Sequence, residues 1–194
     1  TFAGMGVDFS DYDNDGRPDV FVTDLSNERY RLFRHNAHGT FRAATNASGN
    51  GGATLPYSGW STRFVDYDND GWKDIFVAQG HVMDTIEKTS PNLRYLQPPL
   101  LLRNESGRFV RVLAGDIFSQ DFAGRGAAFG DLDNDGDVDV VVSNVGQKAV
   151  VLRNEGGNRQ NWLGIRLEGS ASAKASRDGI GSRVKVSSGS GRTQ

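Results

Sequence analysis

The chain has 194 residues, no cysteine and a formal net charge of −2. It therefore carries no disulfide framework, zinc–thiolate site or cysteine nucleophile, and a nucleic-acid partner is not expected of it. No apolar run approaches the roughly 18 residues of a membrane helix. Glycine makes up 25 of the residues, well above the roughly 7% average, which forecasts many tight turns.

The first predicted element is a short strand ending near Phe9, and an acidic loop, DYDNDGRPD, follows at 11–19. Val20, Phe21 and Val22 read as the next strand, because β-branched and aromatic residues favour the pleated conformation. A strand through Leu32, Phe33 and Arg34 leads to Asn36, a glycine turn at Gly39 and a strand opening on Phe41. The order then recurs. Gly59 and Phe64 precede the loop DYDNDGWKD at 66–74, and Ile75, Phe76 and Val77 follow it. Residues 79–99 interrupt the unit with Gly80, His81 and Val82, a helical stretch near Asp84 to Lys88, and Pro98 and Pro99. Such an insertion suits either a binding role or a cap packed over a neighbour. Leu101 to Asn104, Gly107 and Phe109 complete the second unit. A third begins at Gly124 and Phe129, with the loop DLDNDGDVD at 131–139, the run Val140 to Val142, and Val151 to Asn154.

The loops carry the chemistry. Crowded carboxylates repel one another unless a cation lies between them. Positions 1, 3 and 5 of a curled loop aim inward, and Gly16, Gly71 and Gly136 at position 6 permit the sharp turn. The expected ligands of the first loop are the carboxylates of Asp11, Asp13, Asp15 and Asp19 and the carbonyl of Arg17. Those of the second are Asp66, Asp68, Asp70 and Asp74 with the carbonyl of Trp72. Those of the third are Asp131, Asp133, Asp135 and Asp139 with the carbonyl of Asp137. Hard oxygen donors on flexible loops suit Ca²⁺, about three ions in all. An EF-hand would need a bidentate Glu at position 12 between two helices. Val22, Val77 and Val142 stand there, inside strands.

One unit is thus strand, acidic loop, strand, turn, strand, glycine turn, strand. Four short antiparallel strands per repeat is the pattern of a propeller blade. On these residues the segment from Gly4 to Glu155 resembles FG-GAP repeats, also called VCBS repeats, the calcium-loop blades of integrin α propellers. The tail resembles a second family. Its motif NWLGIRLEG at 161–169, then RDGIG at 177–181 and RVKV at 183–186, is similar to the opening of an ASPIC/UnbV domain. The two are joined in the cartilage acidic protein family and in many bacterial secreted proteins, and His81 in its Gly-His-Val setting fits that combination. The resemblance implies an all-β chain: about three propeller blades over 1–157, and a partial C-terminal β-domain over 158–194 with strands at 163–167 and 183–186. Three blades do not close a ring, which typically needs about four to eight, so a fragment of a larger propeller is expected.

A calcium-stabilised platform for binding proteins or glycans, or for adhesion, is the leading functional expectation. It is placed outside the cytoplasm, extracellular or periplasmic, where Ca²⁺ is abundant enough to fill weak sites. The alternatives are an enzyme or biosynthetic accessory protein of the ASPIC/UnbV type, or a carbohydrate-binding module. Thirteen of the 24 acidic residues lie in the loops, and three dications would turn the formal −2 into +4. Arg29, Arg31, Arg34 and Arg42, with Arg94, Arg103, Arg108 and Arg111, would then offer a cationic surface to a polyanionic glycan. His35 and His38 flank a turn without further local ligands, and His81 with Asp84 is a candidate acid/base pair lacking a nucleophile. Trp60, Trp72 and Trp162 could line a sugar or pack between blades; Asn46 and Asn104 each open a glycosylation acceptor pattern.

Overall fold

The computed structural model describes residues 2–113, 115–169, 177–182 and 184–187. The expected unit folds in chain order. Strands β1 (Val7–Ser10), β2 (Asp19–Val22), β3 (Arg31–His35) and β4 (Phe41–Ala43) pair antiparallel as one sheet. Phe9 stands opposite Val20, and Val20 opposite Phe33. The second sheet repeats this with β5 (Gly59–Val65), β6 (Asp74–Gln79), β7 (Leu100–Glu105) and β8 (Arg108–Val112). The third has β9 (Gly124–Gly130), β10 (Asp139–Asn144) and β11 (Val150–Leu152) among the described residues. Each acidic loop is the connection between the first two strands of its sheet.

The sheets stack through two apolar layers. One joins Phe21, Tyr30 and Leu32 to Phe64, Ile75, Leu100 and Leu102; the other joins Val65, Phe76, Leu101 and Phe118 to Val140 and Val142. This sandwiching explains the sequence of β6. All six of its residues are buried, because Ile75 and Val77 face the first sheet while Phe76 and Ala78 face the third. In β2 only Asp19 and Phe21 are buried, since one face of the first sheet is covered. The same contrast separates equivalent phenylalanines: Phe64 is 6% exposed and Phe9 60%.

The first strands β1, β5 and β9 lie side by side, and the Phe64 N–H donates to Asp8 Oδ2 at 2.7 Å. The approach of β5 to the β2–β3 connection requires a small residue. A Cβ at Gly59 would lie 2.7 Å from the Tyr30 ring and 2.8 Å from Thr23 Cβ.

Helix α2 (Ile86–Thr89) falls where the insertion was expected to turn helical. A second helix, α1 (Asn50–Thr54), was not foreseen; its Asn-Gly-Gly opening has neither apolar period nor propensity. Side chains hold it instead. Asn50 Nδ2 donates to the Tyr30 carbonyl at 2.9 Å, and the Tyr30 N–H donates to Thr54 Oγ1 at 3.2 Å. The insertion is pinned at a few points, with most of its residues exposed. It buries His81, Ile86 and Gln97, and Gln97 Oε1 accepts from the Ser58 N–H at 2.8 Å. The Arg125 guanidinium stacks on Trp60 at 4.4 Å and lies 5.9 Å from the Tyr95 ring.

The tail differs from expectation. No strand forms over 161–169, and Leu163 is 68% exposed and Ile165 49%. Alternation alone does not make a strand; a ladder partner is needed for the backbone groups, and among the described residues the segment meets another backbone only at its end, where the Gly169 N–H donates to the Arg177 carbonyl at 2.8 Å. Trp162 lies against the third loop instead, where a Cβ on Gly136 would come within 2.1 Å of its ring. Val184 to Val186 is not in a strand either, and Arg183 lies outside the described residues.

Candidate metal centres

Each loop closes on its first aspartate. Asp11 accepts the N–H of Asp15 at 3.0 Å and of Gly16 at 2.6 Å. Asp66 accepts those of Asp70 and Gly71, both at 3.0 Å, and Asp131 those of Asp135 and Gly136, both at 3.1 Å. The fifth-position carboxylate then accepts the N–H of position 7, from Arg17, Trp72 and Asp137. The curl requires left-handed backbone at two positions. The expected glycine supplies one, and Asn14, Asn69 and Asn134 at position 4 the other, with φ of 57°, 52° and 60°.

In this curl the carboxylates converge. Oxygens of Asp11, Asp13 and Asp15, of Asp66, Asp68 and Asp70, and of Asp131, Asp133 and Asp139 each gather within 4.8 Å of one another. Each group could hold a metal ion. Asp13 Oδ1 and Asp68 Oδ1, at the same place in the first two loops, are buried and accept no hydrogen bond. Burial first, and then the neighbouring Asp15 or Asp70, pushes both carboxyls above the usual range. Buried anionic oxygen without a donor fits a cation, and an all-oxygen donor set fits Ca²⁺.

The ninth-position aspartate proves to be a staple as well as a candidate ligand. Asp19 accepts the Tyr12 N–H at 3.2 Å and the His35 N–H at 2.8 Å. Asp74 does the same for Tyr67 and Asn104, and Asp139 for Leu132 and Asn154. It thereby ties its loop to the third strand of its sheet. Each oxygen keeps a second lone pair. Burial raises Asp19 to about 6 and Asp74 to about 8, against the N–H groups that lower them.

Sequence reasoning missed the asparagines that join one loop to the next. Asn14 Nδ2 donates to the Gly71 carbonyl at 3.0 Å, and Asn69 Nδ2 to that of Gly136 at 3.2 Å. From the third strands, Asn104 Nδ2 reaches the Tyr12 carbonyl at 2.7 Å and Asn154 Nδ2 that of Tyr67 at 2.6 Å. The recurrence of asparagine at position 4 and after each Leu-Arg pair was the available signal. Asn104 is 1% exposed, so it is not a glycan acceptor; Asn46 is exposed.

Residues 11–77 match the FG-GAP-like repeat family. No curated protein matches the chain. The FG-GAP-like segment runs from the first aspartate of the first loop into β6, and so contains two of the three acidic clusters. The third cluster, beyond it, keeps the same hydrogen-bond scheme.

The remaining candidates separate. His35 stacks on Phe41 at 4.8 Å, and neither it nor His38 joins a metal-competent group among the described residues. His81 is buried and its Nδ1 accepts the Met83 N–H at 3.1 Å, while Asp84 is exposed. Trp60 packs: its indole N–H donates to Gly80 O at 2.7 Å. Several arginines of the expected cationic surface are committed elsewhere. Arg31 makes two bonds of 2.9 Å to buried Asp24, Arg34 pairs with Asp13 and Asp15, Arg103 with Glu105, and Arg111 with the Tyr57 hydroxyl.

Proposed function

We propose that this chain is a calcium-stabilised β-propeller module that binds a protein or a polyanionic glycan outside the cytoplasm. The donorless, buried oxygens of Asp13 and Asp68 carry the reading. Asp11, Asp13, Asp15 and Asp19 with the Arg17 carbonyl hold one ion. Asp66, Asp68, Asp70 and Asp74 with the Trp72 carbonyl hold the second, and Asp131, Asp133, Asp135 and Asp139 with the Asp137 carbonyl the third. Bound calcium supplies charge neutralisation; the chain supplies the curled backbone. A structural role suits cages built from nearly consecutive residues, which leave little room for substrate. The surface of the stacked sheets is then the platform for the partner. Residues 158–194 we read as the opening of an ASPIC/UnbV-type domain, on the motif at 161–169.

At about 2 mM Ca²⁺ and a Kd of about 100 μM, binding to the native state adds about 1.8 kcal/mol per site, or about 5 kcal/mol for three. The expected result is a loss of roughly 10 to 20 °C in Tm with EDTA, restored by Ca²⁺ better than by Mg²⁺. A Tm indifferent to both ions overturns the proposal.

A further inference from the structure

The three loops share one backbone scheme but not one set of neighbours. At the first, two guanidinium groups already occupy the carboxylates. Arg34 pairs through Nε with Asp13 and through Nη2 with Asp15 at 3.1 Å, and Arg17 pairs with the same Asp15 oxygen. Arg17 is anchored further by Nε donating to the His35 carbonyl at 3.4 Å. It fills position 7, where the third loop has an acid.

At the third loop the balance is reversed. The Asp137 side chain is 1% exposed and faces the Asp135 carboxyl and the Asn158 N–H, with no well-formed hydrogen bond to either of its oxygens. Its neighbour Asp135 accepts from Asn158 Nδ2 at 3.0 Å. Arg153 reaches Asp133 at 2.8 Å but is shared with Glu155 at 3.0 Å. The first loop sets four carboxylates against two guanidiniums. The third sets five against one that is already divided.

We infer that the first loop takes up its cation more weakly than the third: Arg17 and Arg34 are tethered counter-cations there, and the buried Asp137 carboxylate strengthens the third. This rests on the calcium reading of the loops given above. A divalent ion entering the first loop must loosen the arginine contacts and then tolerate both charges nearby. One unit charge about 6 Å from a dication, even in water-like surroundings, changes affinity about tenfold. An extra carboxylate acts with the same size and opposite sign. Without calcium the arginines keep the first loop curled, so its shape depends least on the ion.

The test is Ca²⁺ titration calorimetry at low ionic strength on R17Q/R34Q, R17K/R34K and D137N, each first shown by circular dichroism to be folded. A W72F/D66N/D68N background, in which the second loop beside it is disabled, adds a local probe, because Trp162 lies against Gly136 and sensitises Tb³⁺ luminescence from the third loop. The weakest calorimetric phase is expected to tighten at least about tenfold in R17Q/R34Q and to stay put in R17K/R34K. D137N is expected to weaken the Trp162-sensitised Tb³⁺ signal about tenfold without moving the weakest Ca²⁺ phase. Phases unmoved by R17Q/R34Q, or a third loop no tighter than the weakest phase, overturn the inference and leave the calcium reading intact. No uptake of either ion overturns both.

Discussion

The side-chain amide of Asn104 donates to the carbonyl of Tyr12 at 2.7 Å, across the boundary between the first two sheets and 92 residues along the chain. The same amide bonds the Lys73 carbonyl at 3.0 Å, and its Oδ1 accepts the Gly107 N–H at 2.7 Å. Asn104→Leu should therefore cost about 3 kcal/mol, since it leaves buried backbone groups unpaired. His35 holds the place of Asn104 in the first sheet; Asn36 beside it bonds through its side chain only within its own exposed turn, and Asn36→Ala should cost less than about 1 kcal/mol. Urea denaturation in saturating Ca²⁺ checks both. Equal costs would show that the link between sheets contributes nothing.

Gly59→Ala tests the close approach of β5 to the β2–β3 connection. The new methyl would meet the Tyr30 ring at 2.7 Å and Thr23 at 2.8 Å, and Tyr30 is fully buried. Overpacking of this kind costs about 1 to 3 kcal/mol. Gly52→Ala, with open space around it, should be neutral within about 0.5 kcal/mol. Thermal melts of the two variants should differ by several degrees.

Asp24 has a fully buried carboxylate held by Arg31. Arg31→Met strands that charge and should destabilise by about 3 kcal/mol. Asp24→Asn combined with Arg31→Met should recover much of the loss. A double-mutant cycle with additive costs would mean the pair is not coupled.

Stability should depend on pH in opposite senses with and without calcium. In EDTA the folded carboxyls of Asp19 and Asp74 titrate near 6 and 8, against about 3.9 in the unfolded chain. The folded state then holds the extra protons, so this stability is complete below about pH 4 and Tm should fall steadily as the pH rises through 6 to 8. Calcium requires the deprotonated acids, so in its presence Tm should hold or rise over the same interval. Parallel melting curves from pH 5 to 9 decide the matter.

Much of this was legible in the sequence because local patterns set it. The acidic loops, the strands beside them and the position-6 glycines depend on neighbours in the chain. Tertiary partners were not legible. Asn14 read as part of an acidic loop and Asn104 as the end of a strand, yet their acceptors lie 57 and 92 residues away. Arg34 was counted as free surface charge, although strand pairing delivers it to Asp13 and Asp15. The ninth-position aspartates looked like ligands alone, and their two backbone donors emerge only when the third strand docks. In the tail, alternation at Leu163, Ile165 and Leu167 marked strand propensity, but among the described residues no ladder takes up the segment.

The asparagine contacts all run in one sense. Position 4 of a loop reaches forward to the glycine of the next, and the third strand reaches back to the second residue of the one before. Such an array has a head and a tail. A further sheet can extend it only by presenting its carbonyls in that order, and because every junction is head to tail such a row can close on itself as a ring.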